Sequence, residues 1–244
     1  MRIGIVPYLN ALPLCRYLKR PVTFGTPVEL TRQMENGELD IALLPSFAFL
    51  SSKSYLPLYE AGVIQSFGTV ASVTLFLKEG IDNLSRISKI NYSEESVTSN
   101  ILFKVINKYL TGRDPSSLKE VRESADARLI IGDRALFHEN GKGKKIDLGE
   151  LWTDWTSLPF IYALWVARVP VPKEVVNDLV AAKNEGLSKI DEIVNSVRDL
   201  PLPKLKSYLT QNIRYEMRPN SLRGLGAFQD YAVKMGLLAH ARPL

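Results

Sequence analysis

The sequence predicts an α/β protein built from two lobes, and three observations lead to this fold class. Short apolar runs alternate with helix patterns in the first part of the chain, which is typical of a parallel sheet with helical crossovers. A long β-branched segment, residues 70–77, is suited to carry the chain into a second α/β block. A second extended segment, residues 162–169, returns the chain before a helical C-terminal part. The chain is therefore predicted to cross twice between the lobes.

The first lobe opens with a short apolar strand and a turn. Residues 3–6 form a continuous apolar run that suits a strand buried on both faces. Pro7 ends this run, because proline cannot continue a central ladder. Asn10 is predicted to cap a helix over residues 11–18, and residues 21–24 are predicted to form a second strand.

The next helix carries signals at both of its ends. Thr26 can cap its N-terminus, and Glu29 completes a capping box. The Asn-Gly pair at residues 36–37 favours a left-handed stop. Residues 40–44 are then predicted to form a third buried strand, and Ser46 begins the following helix.

The second block repeats the alternation of strands and helices. Residues 63–66 are predicted to be extended, and residues 87–91 and 128–131 are predicted to be short strands. A helix is predicted to begin at Ser96, because the apolar side chains that follow recur on one face. It should end at Gly112, which suits a left-handed stop.

The lobes follow from this order of elements. Helices are predicted over much of the remaining chain, at residues 173–197, 204–212 and 222–235. We assign residues 1–72 and 169–244 to a discontinuous first lobe and residues 73–168 to a second lobe. Two α/β lobes joined by two crossings are typical of the type II periplasmic-binding-protein fold. Its ligand lies in the cleft, where strand ends and helix N-termini meet.

The composition is that of an ordinary globular protein. The chain has 244 residues, of which 45% are hydrophobic and 23% are charged. A formal net charge of +5 weakly favours an anionic partner. The basic residues are dispersed, apart from a lysine cluster that suits a solvated loop, at Lys142, Lys144 and Lys145. No nucleic-acid-binding motif is recognised, so no nucleic-acid partner is expected.

Membrane, metal and thiol chemistry are not expected. No apolar run is long enough to span a bilayer, and the N-terminus lacks the features of a secretory signal, which indicates a cytoplasmic protein. The only histidines, His138 and His240, lack a ligand-like spacing and are expected to be exposed. The single cysteine, Cys15, is expected in the core beside Leu14 and Leu18.

Small polar residues recur directly after the predicted strands, where helices begin. They are Asn10, Ser46, Ser72, Thr98, Ser99 and Asp133. Helix N-termini and hydroxyl groups at one sheet edge can bind carboxylates without arginine side chains. Each of these residues also suits an ordinary helix cap, but their shared edge favours a binding site. The tryptophans Trp152, Trp155 and Trp165 can stack on a ligand ring, although core packing is expected for at least two of them.

Several motifs together resemble one enzyme family. They are residues 6–11 (VPYLNA) with Pro13 and Leu14, 37–42 (GELDIA), 72–76 (SVTLF), 96–99 (SVTS), 131–136 (IGDRAL) and 147–152 (DLGELW). These motifs span residues 3 to about 168 and resemble chorismate dehydratase, the first enzyme of the futalosine route to menaquinone. Any one of them alone is not specific.

The resemblance implies a cytoplasmic, two-lobed enzyme that removes water from chorismate to give 3-(1-carboxyvinyloxy)benzoate, without a metal or an organic cofactor. The residues expected to bind the substrate are Tyr8, Leu9, Ser46, Ser72, Val73, Thr98 and Ser99. Asn10 and Asp133 are the candidate catalytic residues, and the proton acceptor is either Asp133 or a carboxylate of the substrate. The expected partner is the small dicarboxylate substrate, bound by a monomer or a homodimer.

The sequence disfavours three other classes of protein. A solute-binding protein of the same fold needs an export signal or a lipid anchor, and neither is recognised at the N-terminus. The later enzyme of the same pathway, which forms the dihydroxynaphthoate, shares the fold. The Tyr8-Leu9-Asn10 segment and the lack of a histidine at a plausible cleft position disfavour it. A transcriptional effector domain is disfavoured because no helix-turn-helix precedes the first strand.

Overall fold

The computed structural model describes residues 1–197 and 200–244, and the strands within them form two separate sheets. The strands of the first sheet are β1 (Ile3–Ile5), β2 (Val22–Phe24), β3 (Ile41–Pro45), β4 (Leu56–Pro57), β5 (Val63–Ser66) and, much later in the chain, β11 (Phe160–Ala167). Their spatial order is β2-β1-β3-β11-β4, and β5 also pairs with β11. Strand β1 is parallel to β2 and β3, whereas β11 is antiparallel to β3, β4 and β5.

The second sheet is formed by the middle of the chain. Its strands are β6 (Val73–Leu77), β7 (Lys89–Asn91), β8 (Lys119–Glu120), β9 (Ala127–Ile131) and β10 (Lys145–Asp147). Their order is β10-β6-β9-β7-β8. Strand β7 is parallel to its neighbours β8 and β9, whereas β6 is antiparallel to its neighbours β9 and β10. The two sheets confirm the α/β class that the sequence predicts.

Helices connect the strands and form most of the C-terminal part. They are α1 (Leu12–Cys15), α2 (Pro27–Glu35), α3 (Ser46–Ser51), α4 (Val97–Thr111), α5 (Gly132–Phe137), α6 (Leu148–Thr156), α7 (Lys173–Ser188), α8 (Ile190–Ser196), α9 (Leu202–Ser207) and α10 (Pro219–Lys234). Short 3₁₀ turns occur at Leu9–Ala11, Tyr59–Ala61, Leu84–Arg86 and Pro115–Ser117, and a π-helical turn at Tyr208–Asn212. Over the described ranges, no helix is both long and apolar enough to cross a membrane.

Local capping chemistry explains where α2 and α4 begin and end. The Thr26 hydroxyl accepts the N–H of Glu29, and the Glu29 carboxylate accepts the N–H of Thr26, which is the predicted capping box. The Ser96 hydroxyl accepts the N–H of Ser99 at the start of α4. At the other end Gly112 has a φ of 72°, the left-handed stop that the sequence predicts.

The chain passes between the sheets twice, at residues 67–72 and at residues 157–159. The second passage precedes β11, whose residues 163–167 pair with β3 of the first sheet. The predicted second lobe, residues 73–168, therefore differs from the observed sheet membership, because an apolar run does not show which sheet it will pair with. We propose a first lobe of residues 1–66 with 160–244 and a second lobe of residues 73–156.

Asp147 anchors the first passage between the sheets. Its carboxylate accepts the N–H groups of Val70 at 3.0 Å and Ala71 at 2.7 Å. The same carboxylate caps α6 by accepting the N–H groups of Gly149 and Glu150. Ala71 has a φ of 64°, a conformation that a non-glycine residue adopts only when its surroundings hold it. One side chain thus fixes both a helix and the segment that leads into β6.

The tryptophans contribute mainly to packing. Trp152 and Trp165 are fully buried, which confirms core packing for two of the three. Trp155 stacks on Tyr109 with ring centroids 5.3 Å apart and packs against Tyr231. Aromatic pairs of this kind stabilise the junction of α4, α6 and α10.

Several local predictions differ from the structure. Helix α1 is shorter than the predicted residues 11–18, and Asn10 does not cap it but lies in the preceding 3₁₀ turn. Cys15 is only partly buried, rather than a core residue. His138 is half-buried against the ring of Phe76, with centroids 4.4 Å apart. The predicted helix at residues 204–212 is divided between α9 and the π-helical turn. The helix differences fall in segments that have no side-chain cap hydrogen bond, which are the first 3₁₀ turn, α1 and the π-helical turn.

Candidate active site

A cavity lies between the two sheets, where the carboxyl ends of β1, β3 and β9 face the N-terminus of α4. It encloses about 550 Å³ of empty space, counting the mouth that opens to solvent. The polar side chains on its walls come from Tyr8, Asn10, Ser72, Ser96, Ser99 and Tyr162.

A chain of hydrogen bonds joins Asn10 to Ser72 through Tyr208. The Asn10 Nδ2 group donates to the Tyr208 hydroxyl at 3.0 Å, and this hydroxyl donates to Ser72 Oγ at 2.8 Å. Asn10 Oδ1 is buried and accepts no hydrogen bond from any group in residues 1–197 or 200–244. The two cavity side chains therefore present a free amide acceptor and a hydroxyl donor.

The Tyr8 side chain packs against the junction between β9 and α5. Gly132 at this junction has a φ of 63°, and its N–H donates to the Ser72 carbonyl at 2.8 Å. A Cβ atom at residue 132 would lie 3.5 Å from the Tyr8 ring and in a strained backbone conformation. Glycine is therefore favoured here by the positive φ of the junction, since a Cβ atom would make only an ordinary contact with the Tyr8 ring.

The N-terminus of α4 lies at the cavity, where Ser96 and Ser99 form part of the wall. Ser96 Oγ accepts the Ser99 N–H at 3.1 Å and donates to Ser99 Oγ at 3.0 Å. The partial positive charge at the start of a helix this long attracts anions. Among the described residues that line the cavity, none is a lysine or an arginine. The attraction for an anion therefore comes from the helix end and from hydroxyl groups.

Three residue pairs form hydrogen bonds from one lobe to the other around this cavity. The Leu9 N–H donates to both carboxylate oxygens of Asp133, at 3.2 and 3.3 Å. The Phe47 N–H donates to Thr98 Oγ1 at 3.0 Å. The Tyr8 hydroxyl donates to Glu95 at 3.1 Å. These contacts hold the lobes in a closed arrangement.

Burial controls the protonation of the site. It raises the pKa of the Asp133 carboxyl to about 6, although the hydrogen bond from Leu9 opposes the shift. Burial likewise raises the pKa of Tyr8, Tyr162 and Tyr208 above the usual value for a phenol. All three tyrosines therefore remain neutral hydrogen-bonding groups near neutral pH.

The structure places the sequence-predicted residues in two groups. Those that line the cavity are Tyr8, Asn10, Ser72, Val73 and Ser99. Those that lie beside it without lining it are Leu9, Ser46, Thr98 and Asp133. Leu9, Thr98 and Asp133 make the contacts between the lobes, while the fully buried Ser46 hydroxyl has no partner in the described part of the chain. The roles of all nine residues stay predictions.

Sequence reasoning missed other residues at the site. Ser96 carries the ordinary signal of a helix cap, and its place beside Ser99 could have been found from that signal. Gly132 ends a predicted strand, and a glycine there can indicate close backbone approach. Tyr162 and Tyr208 carry no local signal, because a tyrosine on a strand or in a helical pattern usually indicates packing.

The described residues contain no group of three or more His, Cys, Asp or Glu side chains arranged to hold a metal ion. The polar groups of the cavity are amide, hydroxyl and phenol groups, which suit an organic anion. That the protein needs no cofactor stays a prediction.

Two α/β lobes around a polar cavity define the class of periplasmic-binding-protein-like folds, and solved structures agree. A structural-genomics protein from Archaeoglobus fulgidus superposes with a TM-score of 0.75 at 18% identity, covering 97% of this chain and 98% of that one. The aliphatic sulphonate binding protein SsuA from Escherichia coli superposes with a TM-score of 0.64 at 15% identity, covering 99% of this chain and 94% of its own. These likenesses confirm the predicted fold.

The family follows from the sequence comparisons. The family profile described as menaquinone biosynthesis matches residues 1–234, and the chain belongs to this family. A relative from Thermus thermophilus named chorismate dehydratase is 30% identical over 93% of each chain. The resemblance seen in the sequence motifs is therefore confirmed.

Proposed function

We propose that this chain is a lyase that removes water from chorismate to give 3-(1-carboxyvinyloxy)benzoate for menaquinone biosynthesis. The observation that supports this proposal best is a cavity between the lobes with three kinds of polar group: serine hydroxyls, a helix N-terminus, and the Asn10 amide oxygen, which has no partner among the described residues. The family, and the name of the Thermus thermophilus relative, support chorismate as the substrate.

The polar groups suit a substrate that carries two carboxylates and a hydroxyl. The N-terminus of α4, with Ser96 and Ser99, would bind one carboxylate through N–H and O–H donors. The Ser72 hydroxyl would donate a hydrogen bond to the other carboxylate. Asn10 Oδ1 would accept a hydrogen bond from the ring hydroxyl that leaves during the reaction.

The reaction proceeds by proton removal followed by loss of hydroxide. The proton on C3 goes to a base, and the electron pair spreads through the ring double bond into the ring carboxylate. The C4–O bond then breaks as the C3–C4 double bond forms, and the leaving hydroxide takes up the proton that the base removed from C3 and departs as water. Aromatisation supplies the driving force, so the protein's task is to orient the substrate and stabilise the developing charge.

We propose that the proton acceptor is a carboxylate of the substrate. Among the described residues lining the cavity there is no carboxylate and no histidine, and the tyrosines there stay protonated. Asp133, the alternative base, is engaged by the Leu9 N–H and does not line the cavity. Asp133→Asn should therefore keep more than about a tenth of the turnover, whereas removal of a true general base costs about 10²-fold or more.

We further propose a cytoplasmic location and a monomeric or homodimeric state. The location is supported by the biosynthetic family, since chorismate is a metabolite that such an enzyme must share with other enzymes. Cell fractionation and light scattering of the purified protein measure these two properties directly.

Incubation with chorismate tests the function. The purified protein should consume chorismate, and mass spectrometry should detect a product lighter by one water. Asn36→Ala, an exposed substitution at the end of α2, is the matched control for the site variants and should behave as the wild type. Intact chorismate after incubation, together with tight binding of another small carboxylate, would instead favour a solute-binding protein.

A further inference from the structure

Tyr208 occupies an unusual place behind the candidate active site. It begins the π-helical turn Tyr208–Asn212, directly after α9, and its side chain is 1% exposed. It does not line the cavity, yet its hydroxyl bonds to two residues that do, Asn10 and Ser72. Wider π-helical turns are frequent at functional sites, because they displace a side chain from its regular position.

The Tyr208 hydroxyl sets the direction of both hydrogen bonds. It accepts from Asn10 Nδ2, which leaves Asn10 Oδ1 as the free atom of the amide. It donates to Ser72 Oγ, so the Ser72 proton must point elsewhere, and the cavity is the open side. A single phenol thereby decides which cavity group is an acceptor and which is a donor.

The same π-helical turn also holds the backbone that carries Ser72. Asn212 Nδ2 donates to the Thr69 carbonyl at 2.9 Å, within the first passage between the sheets. The turn therefore contacts this passage at both of its ends, through Tyr208 and through Asn212. Beyond it, Arg214 pairs with Gln65 at the end of β5.

We propose that Tyr208 is a positioning residue that orients the Asn10 amide and the Ser72 hydroxyl for the substrate across the lobe boundary. The substrate itself rests on the proposed function, but the positioning does not. A buried tyrosine needs no such partners to pack well. Tyr215, only seven residues later and 4% exposed, keeps a buried hydroxyl that has no partner in the described residues. The pairing of Tyr208 with two cavity residues is thus specific to its place.

Tyr208→Phe tests the proposal, because it removes the hydroxyl and keeps the ring. With chorismate as substrate, kcat should fall about tenfold to a hundredfold while KM changes by less than about threefold, since misoriented groups lose transition-state stabilisation. Tyr215→Phe is the matched control and should leave kcat unchanged. In an Asn10→Ala background, the loss caused by Tyr208→Phe should shrink, because the two changes act through the same contact.

A second readout needs no substrate. The side-chain amide signals of Asn10 in a ¹⁵N spectrum, identified by their loss in Asn10→Ala, should shift and exchange faster in Tyr208→Phe but not in Tyr215→Phe. If the wild type converts chorismate and Tyr208→Phe has the same kcat, the positioning role of Tyr208 is overturned and the proposed function stands. If the wild type does not convert chorismate, the proposed function fails, and unchanged Asn10 signals in Tyr208→Phe would then overturn the positioning role separately.

Discussion

At the scale of single residues, the candidate active site is marked by two buried polar atoms that lack a hydrogen-bond partner among the described residues. Asn10 Oδ1 and Ser46 Oγ are buried without a partner in the described ranges. An unpaired buried polar atom costs about 1–3 kcal/mol. Only Asn10 lines the cavity, so a substrate hydroxyl could offset that cost at Asn10 Oδ1 but not at Ser46.

Asn10→Ala should lower the turnover of chorismate by about a hundredfold, because the substrate loses the acceptor that orients its reacting centre. The Tyr208 hydroxyl would also lose its donor partner. Steady-state kinetics, with circular dichroism to check folding, measures the effect against the Asn36→Ala control. Turnover equal to that of the wild type would remove Asn10 from the mechanism.

Asp133 should make stability depend on pH in a direction opposite to most carboxylates. Its folded-state pKa of about 6 lies above the unfolded value, so the folded chain binds more protons and stability falls as pH rises from about 4 to about 6. Asp133→Asn retains an acceptor for the Leu9 N–H. The free energy of unfolding of this variant should exceed that of the wild type by about 1–2 kcal/mol at pH 7, a value that allows for solvent around this half-buried group. Near pH 4 the two free energies should be equal.

Urea unfolding at the two pH values measures this difference. Asp40→Asn gives the opposite sign, because the hydrogen bonds from Arg2 lower the pKa of Asp40 to about 2. That variant should lose stability at pH 7 and approach the wild type only in strong acid. A pH-independent effect of Asp133→Asn would contradict the expected role of burial.

At the scale of elements, the best-predicted helices are those whose ends carry their own chemistry. The capping box of α2 and the Ser96 cap with the Gly112 stop of α4 lie within the helices they define. The 3₁₀ turn at Leu9–Ala11 and the π-helical turn after α9 have no side-chain cap hydrogen bond. Contacts with distant residues shape these two segments, and local sequence does not encode such contacts.

Asp147→Ala should destabilise the protein by about 2–4 kcal/mol. The substitution removes a helix cap, worth about 1 kcal/mol, and leaves the Val70 and Ala71 N–H groups without their acceptor. Because this segment leads to Ser72, kcat for chorismate should also fall about tenfold. Urea unfolding and steady-state kinetics measure the two effects.

Asp114→Ala is the matched control for this change. Asp114 caps an exposed 3₁₀ turn by accepting the N–H of Ser116, and it belongs to neither passage between the sheets. Its loss should cost about 1 kcal/mol or less and leave kcat unchanged. Equal effects of the two substitutions would show that Asp147 acts only as an ordinary cap.

At the scale of the whole molecule, closure of the lobes is the property that links fold to chemistry. The hydrogen bonds between Leu9 and Asp133, Phe47 and Thr98, and Tyr8 and Glu95 join the lobes around the cavity. A closed cavity excludes water and strengthens each polar contact within it. Substrate binding and closure should therefore be coupled.

Thr98→Val should raise KM for chorismate about tenfold with a smaller change in kcat. The substitution keeps the β-branched shape and removes only the acceptor for the Phe47 N–H, so it lowers the population of the closed state. Small-angle scattering should show a larger mean radius in the absence of substrate. Thr111→Val, at the opposite end of α4, is the control, and an equal KM in both variants would rule out this contact as a determinant of closure.

The α/β class, most strands, the ends of α2 and α4, and the set of small polar residues at strand ends could all be predicted from the sequence alone. These features depend on neighbours within a few residues, such as apolar runs, caps and glycine stops. Two features could be seen only in the folded chain. Strand β11 joins the first sheet, and Tyr208 contacts Asn10 and Ser72, which lie 198 and 136 residues away along the chain. The physical reason is that a hydrogen bond between distant segments depends on how the lobes pack, and no local pattern records that packing.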